Sequence, residues 1–509
     1  MPRAVVGRYR IARYRAASRN NVDVATDDAR TWLARTPDTF RVVPAHRGPV
    51  PVGVEVVDDL APVAPTLPDV DAVVWARVAR RRFGTIVEEP LVDPVGVVAT
   101  GEAIAEIGRS DGDVVAVFDG LWAAGRRLGL VPVPGRATRP VRRDPIARPS
   151  VVVCSLVPMH DVGGGSRGAR LAVEFLRRGH HVTFVAAHGA MGTDLGLRFV
   201  HPDLDQRYLW DFEPSELVAR ARDPAMVLVE APVSEFAAVA GKLRSAGYPV
   251  VYDVIDRWAD PSLGWDWYDA SVEEALVASA DAVVASAPDL LPNPSAVLVP
   301  NAVDDAAFGG ADADLPSDLP ASEGPLIGYH GSLYGPWFDW EALRRVAEAF
   351  PDGAVVVIGD VPPDVPRLPG NVHLLGPRPQ PELPAYLRRF AVGLVPFVVS
   401  EVSHAVSPLK VYEYLASGVP VAAPPLRALE GIAGVHVADD LVDAVRAALV
   451  GPPVDREQAL REHSWTDRCR TILGLAGRDL DPAVERPVAV PIRPAIHWPP
   501  SERLGGGRR

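Results

Sequence analysis

Ser407-Pro408-Leu409-Lys410-Val411-Tyr412-Glu413-Tyr414-Leu415-Ala416-Ser417-Gly418 spells out a helix together with both of its ends. Ser407 suits the N-cap, Pro408 the first helical position, and Gly418 the stop. Lys410 then falls in the first turn, where free backbone N–H groups and the helix dipole already favour an anion. A cation there is mildly unfavourable unless an anion such as a diphosphate lies against that end. Glu413, three residues on, shares the face of Lys410, and its carboxylate can accept both hydroxyls of a ribose. Phosphate at the helix end with ribose one turn deeper is the arrangement of a bound nucleoside diphosphate. The competing reading is a Lys/Glu ion pair on a solvated face. Lys242 and Lys410 are the only lysines in an arginine-rich chain, so a lysine in this motif is informative.

A second feature is Gly163-Gly164-Gly165-Ser166-Arg167-Gly168, which satisfies G-x-G-x-x-G. A dinucleotide-binding loop would place its first glycine directly after a strand and an acidic residue at the end of the next strand. Here Pro158–Val162 intervenes and the next strand ends Ala186-Ala187-His188, so context argues against NAD or NADP. Two readings remain: a flexible backbone that lets an anionic ligand approach a helix N-terminus, and a plain strand-to-helix turn.

The elements that position these residues read as two doubly wound α/β domains in succession. Val151–Val157, Val182–Ala187, Met226–Val229, Val250–Val254, Ala282–Ala285 and Val297–Val299 are buried-strand candidates, with a helix over Ser166–Arg178. The pattern restarts with strands at Leu326–His330, Ala354–Ile358, Val372–Leu375, Val392–Pro396 and Pro420–Ala423, and helices over Trp340–Phe350 and Glu382–Phe390. The expected division is an accessory α/β module of unclear fold over 1–148, domains over 149–310 and 320–452, terminal helices over 453–478 and an unstructured tail over 479–509.

Composition excludes several classes. The length of 509 residues fits about three domains, and a 48% hydrophobic content rules out wholesale disorder. A net charge of −13 argues against a nucleic-acid partner. No run of ~18 apolar residues is present for a membrane span. Cys154 and Cys469 are too few and too far apart for a disulfide framework or zinc spacing, which fits a reducing cytoplasm. The basic stretch Arg8–Arg19 is either a solvated terminus or a peripheral contact with an anionic membrane face.

At the Lys410/Glu413 helix and the segments in line with it, the chain from about 150 to 475 resembles a group-1 (family 4-like) glycosyltransferase of the GT-B fold. The segments are Gly163–Gly165 with Gly179–Val182, Val299–Asp304, Leu326–Tyr334, Asn371–Arg378 with Leu383–Tyr386, and Ser407–Val421. The resemblance implies two Rossmann-like domains facing a cleft. It further implies transfer of a sugar from a nucleotide diphospho-sugar to a glycan, lipid-linked or other acceptor, with retention and with neither a metal nor a further cofactor. By it, Lys410 would hold the donor phosphates and Glu413 the ribose. Backbone at Gly331, Ser332, Ser407 and Leu409 would approach diphosphate and sugar, while Gly164 and Gly165 close from the opposite domain. The family's setting is cell-surface polysaccharide or glycoconjugate synthesis.

Three departures sharpen the expectations. The first carboxylate of the family's Glu-x7-Glu pair would fall at Ala405, leaving His404 or Ser403 as a candidate substitute, with His404 otherwise a solvated loop histidine. A first-domain histidine is replaced in the stretch Val250–Asp256, where Asp253 and Asp256 are candidates for acceptor activation or for an Asx turn or cap. No basic residue follows Leu326–His330, where Leu333 and Tyr334 stand instead, so Lys410 is the main phosphate cation. The alternatives are a catalytically impaired nucleotide-sugar-binding subunit or sensor, and epimerisation of the donor sugar. Leu91–Ala137 also faintly resembles the end of a family-2 glycosyltransferase, and its Asp111-Gly112-Asp113 is either a metal-binding pair or a turn. Oligomeric state is not readable.

Overall fold

The computed structural model describes residues 145–478, apart from 190–196, 200, 202, 264–266, 311–314 and 334–336, together with short stretches before 145 and residues 492–494. Arg8–Arg19, Asp111–Asp113 and Tyr334 lie outside the described residues. In the N-terminal region, Ala72–Phe83 and Val87–Thr100 pair as a long antiparallel hairpin within a six-stranded mixed sheet.

The first doubly wound domain follows. Strands β1 (Ser150–Ser155), β2 (His181–Ala186), β3 (Leu204–Tyr208), β4 (Pro224–Val229), β5 (Val250–Val254), β6 (Ala282–Ala285) and β7 (Val297–Leu298) form one parallel sheet. Their order is β3-β2-β1-β4-β5-β6-β7, so the direction of winding reverses between β1 and β4. Alternate residues of β1 serve opposite cores: Val151 and Val153 pack beneath helix α1 (Arg167–Arg177), while Val152 and Cys154 pack beneath α2 (Ser234–Ser245). Burial on both faces is why these strands are continuously apolar. The first helix begins where expected, with the Ser166 hydroxyl accepting from the Ala169 N–H.

The second domain repeats the plan. Strands β8 (Leu326–His330), β9 (Ala354–Ile358), β10 (Val372–Leu374), β11 (Val392–Leu394), β12 (Val421–Ala423) and β13 (Val435–Val437) are parallel in the order β10-β9-β8-β11-β12-β13. The reversal falls between β8 and β11, and ligands in such sheets bind at the carboxyl ends of strands beside that point.

Three features differ from the sequence reading. The edge strands β3 and β13 go unforeseen, because each carries polar residues such as Asp205, Gln206 and His436 that break the apolar run. The helix α3 spans Leu409–Ala416, with Pro408 in the cap position and no side-chain cap. Ser407 is no cap: its hydroxyl accepts from the Asn301 N–H at 3.3 Å and bonds Tyr412 Oη at 3.0 Å. Finally, Ile492–Pro494, within the tail expected to be unstructured, pairs antiparallel with Leu197–Phe199.

The terminal helices form as Arg456–Glu462 and α4 (Trp465–Leu475). The latter returns to the first domain, where Trp465, Cys469, Ile472 and Leu473 join the core beneath α1.

Candidate functional site

Lys410 lies in the first turn of α3, and its ammonium reaches back over the end of β8. A Cβ placed on Gly331 would sit 3.0 Å from Lys410 Cε and 3.3 Å from Nζ, and Gly331 has φ +124°. Glycine at 331 is therefore required twice, by backbone conformation and by the lysine's close approach. The ammonium stands 4.8 Å from the Phe397 ring centroid and 5.3 Å from that of Tyr329, within cation–π range. Among the described residues it has no carboxylate within ion-pair distance. Burial lowers its pKa to about 8, opposed by Glu413. The loop it covers is pinned: the Gly331 N–H donates to Ile358 O, and the Tyr329 hydroxyl donates to Ser332 O.

Glu413 is 5% exposed, one turn deeper, as the spacing predicts. Gln380 Nε2 donates to its Oε1 at 2.6 Å, and His330 Nε2 lies 3.2 Å from its Oε2. Burial lifts the Glu413 carboxyl to about 7, while burial and the nearby Lys410 charge push His330 down to about 3. A neutral imidazole thus faces a carboxyl that titrates near neutrality. Gln380 Oε1 in turn accepts from Arg170 Nη1 of α1 at 3.2 Å, which carries the chain of bonds into the first domain. Arg170, His330 and Gln380 escape the sequence reading. The signal for His330 was a polar residue closing an apolar strand; Gln380 in a Pro-rich turn gives none.

The loop before α3 also leans on the first domain. Asn301 Nδ2 donates to Ser407 O at 2.6 Å, and Leu409 packs against the core beneath α1. Ala405 is fully buried against the core beneath α2, so the position expected for a sugar-proximal carboxylate is an apolar contact. His404 is half-buried, its Nδ1 accepting from the Arg427 N–H at 3.3 Å.

On the opposite wall, Gly164 has φ +83°, and a Cβ there would meet the Phe199 ring at 2.7 Å and Arg170 Nη2 at 3.1 Å. Gly165 beside it is half-buried. The two candidate aspartates separate. Asp253 is fully buried and engaged by Arg167 through both oxygens, at 2.8 and 3.1 Å, while Arg167 Nη1 reaches Asn301 Oδ1 at 3.1 Å. Asp256, past the end of β5, has no side-chain hydrogen-bond partner among the described residues, and burial pushes its pKa up to about 7. Glu230, missed by the sequence reading, closes β4 at 1% exposure, and burial, aided by Asp253, lifts it to about 8.

Two parallel doubly wound sheets, with a cation and a carboxyl at the carboxyl-end crevice of the second and a glycine loop opposite, define the GT-B class of architecture. Residues 324–451 match the family described as "Glycosyl transferases group 1". The chain is 29% identical over 198 residues to a Bacillus subtilis (strain 168) protein provisionally named the teichuronic acid biosynthesis glycosyltransferase TuaH. That alignment covers 34% of this chain and 49% of the relative, so the chain spans about half the length of the curated relative it matches. Solved structures similar to it include sucrose-phosphate synthase from Thermosynechococcus elongatus, at 15% identity and TM-score 0.48, covering 64% of this chain and 98% of that one. Another is Anabaena Alr3699/HepE in complex with UDP and glucose, at 12% identity and TM-score 0.46, covering 65% and 99%. Among the described residues no helix is long and apolar enough to cross a membrane.

Proposed function

We propose that the protein transfers a sugar from a nucleotide diphospho-sugar to a glycan, lipid-linked or other hydroxyl acceptor, in the synthesis of a surface polysaccharide or glycoconjugate. The observation that carries this reading is the uncommitted Lys410 ammonium over Gly331, one helical turn above the buried Glu413 carboxyl. Lys410 and the first-turn N–H groups of α3 stabilise the charge that builds on the departing diphosphate. Glu413, once ionised, accepts the ribose hydroxyls, and its present bond from Gln380 is exchanged for them. The acceptor enters from the first domain, where Asp256 is the half-buried carboxyl free to take a proton from its hydroxyl. Asp253, held at both oxygens by Arg167, organises that wall. The reading assigns retention of configuration and needs neither metal nor cofactor. Cys154 and Cys469, both buried and unpaired, fit a reducing compartment.

The test is product analysis. Purified protein is incubated with nucleotide sugars of each common base and a panel of glycan and lipid-linked acceptors. A glycosylated acceptor supports transfer; an isomerised donor sugar without transfer would point instead to epimerisation. The buried Ala405 favours a second reading, a nucleotide-sugar-binding subunit of the same fold. Donor binding with no product under any acceptor would select it.

A further inference from the structure

Arg170 stands in the second turn of α1, directly behind the glycine loop, and is 3% exposed. A guanidinium has five N–H donors and keeps its charge at any pH the fold survives. Here only Nη1 is used, shared between Asp304 Oδ2 and Gln380 Oε1 at 3.2 Å each. Nε and Nη2 are buried with no hydrogen-bond partner among the described residues. Nor does Asp304 need this arginine: Arg177 already holds both of its oxygens, at 2.8 and 3.0 Å. A buried cation is thus kept under-satisfied beside a ligand-closing loop, which structural need alone does not explain.

Its surroundings indicate what the free donors are for. Gly164 lies against Nη2, where any side chain would strike the guanidinium and the Phe199 ring that stacks over it at 5.5 Å. Through Gln380 the guanidinium is one residue from Glu413, and both Arg170 and Lys410 act on that carboxyl's charge. Two cations therefore flank the Glu413 carboxyl, one from each domain. The stretch Gly331–Pro336, which follows β8, carries no cation in its sequence. A diphosphate has more negative charge than one lysine neutralises.

We propose that Arg170 is a donor-phosphate ligand supplied by the first domain, its Nε and Nη2 donating to diphosphate oxygens so that donor binding holds the two domains together. The inference rests on the glycosyl-donor reading above and adds to it a cation from the opposite wall.

The test titrates the full chain with UDP, GDP, dTDP and ADP and with the matching monophosphates. The variants are Arg170→Met, Arg170→Lys, Lys410→Ala and, as a remote charge-loss control, the half-exposed Arg344→Met. For whichever diphosphate the wild type binds, Arg170→Met is expected to weaken binding about 10- to 100-fold. The matching monophosphate should weaken several-fold less, Arg170→Lys should recover part of the loss, and Arg344→Met should bind as wild type. Arg170→Met should stay folded, because Asp304 keeps Arg177, and its unfolding midpoint is recorded beside each titration. Wild-type affinity in both Arg170 variants, with Lys410→Ala impaired, would overturn the proposal while leaving the donor site intact. Equal losses for mono- and diphosphates would also overturn it, marking Arg170 as structural. No binding of any diphosphate by the wild type would fail the donor reading itself, and the proposal with it.

Discussion

Gln380 donates to Glu413 at 2.6 Å while accepting from Arg170 at 3.2 Å, so a single amide joins the carboxyl deepest in the second domain's crevice to a cation of the first domain. The crevice is thereby assembled from both domains before any ligand enters.

Two titrations bracket its working range. Glu413, lifted to about 7, ionises as pH rises through that value and becomes a full acceptor for ribose hydroxyls. Lys410, lowered to about 8, loses its charge as pH rises further and ceases to attract phosphate. Nucleoside diphosphate affinity should therefore peak between about pH 7 and about pH 8. Calorimetry across pH should show Glu413→Gln losing the acid limb and Lys410→Arg losing the alkaline one.

Stability without ligand runs the other way at both ends. The raised Glu413 contributes stability that is present below the unfolded value near 4.5 and lost as pH rises through about 7. The lowered Lys410 contributes stability that is present above 10.5 and lost as pH falls through about 8. Replacing both by Met should flatten the urea midpoint across this range.

Gly331→Ala tests the contact on which the lysine depends. The left-handed backbone alone costs about 1–2 kcal/mol for an alanine, and the added methyl must displace Lys410. Affinity for a nucleoside diphosphate should fall about tenfold, with a lowered unfolding midpoint.

Asp253 and Asp256 should part company. Asp253→Ala strands Arg167 in a buried site and should cost about 3–5 kcal/mol in chemical denaturation. Asp256→Asn should leave that midpoint unchanged, yet lower kcat and remove an ionisation near pH 7 from the rate profile.

Much of the frame was legible in the sequence because parallel strands buried on both faces are continuous apolar runs: β5, β6, β8 and β9 begin and end where read. The edges β3 and β13, interrupted by polar residues, lack that signature. The helix that carries Lys410 and Glu413 was legible because its glycine stop and its spacing are local signals. Arg170, Gln380 and His330 were not, since their meaning lies in contacts across 33 to 210 positions of sequence. Ser407 misled for a related reason: it has a capping residue's chemistry, but Asn301 of the other domain claims its hydroxyl.

The most direct test of the central claim is a titration of purified protein with UDP, GDP, dTDP, ADP and NAD, alongside Lys410→Ala and Glu413→Ala. The account predicts that one nucleoside diphosphate binds and that both substitutions weaken it, Lys410→Ala mainly through the phosphates and Glu413→Ala through the nucleoside. Binding indifferent to both residues, or binding of NAD alone, would contradict it.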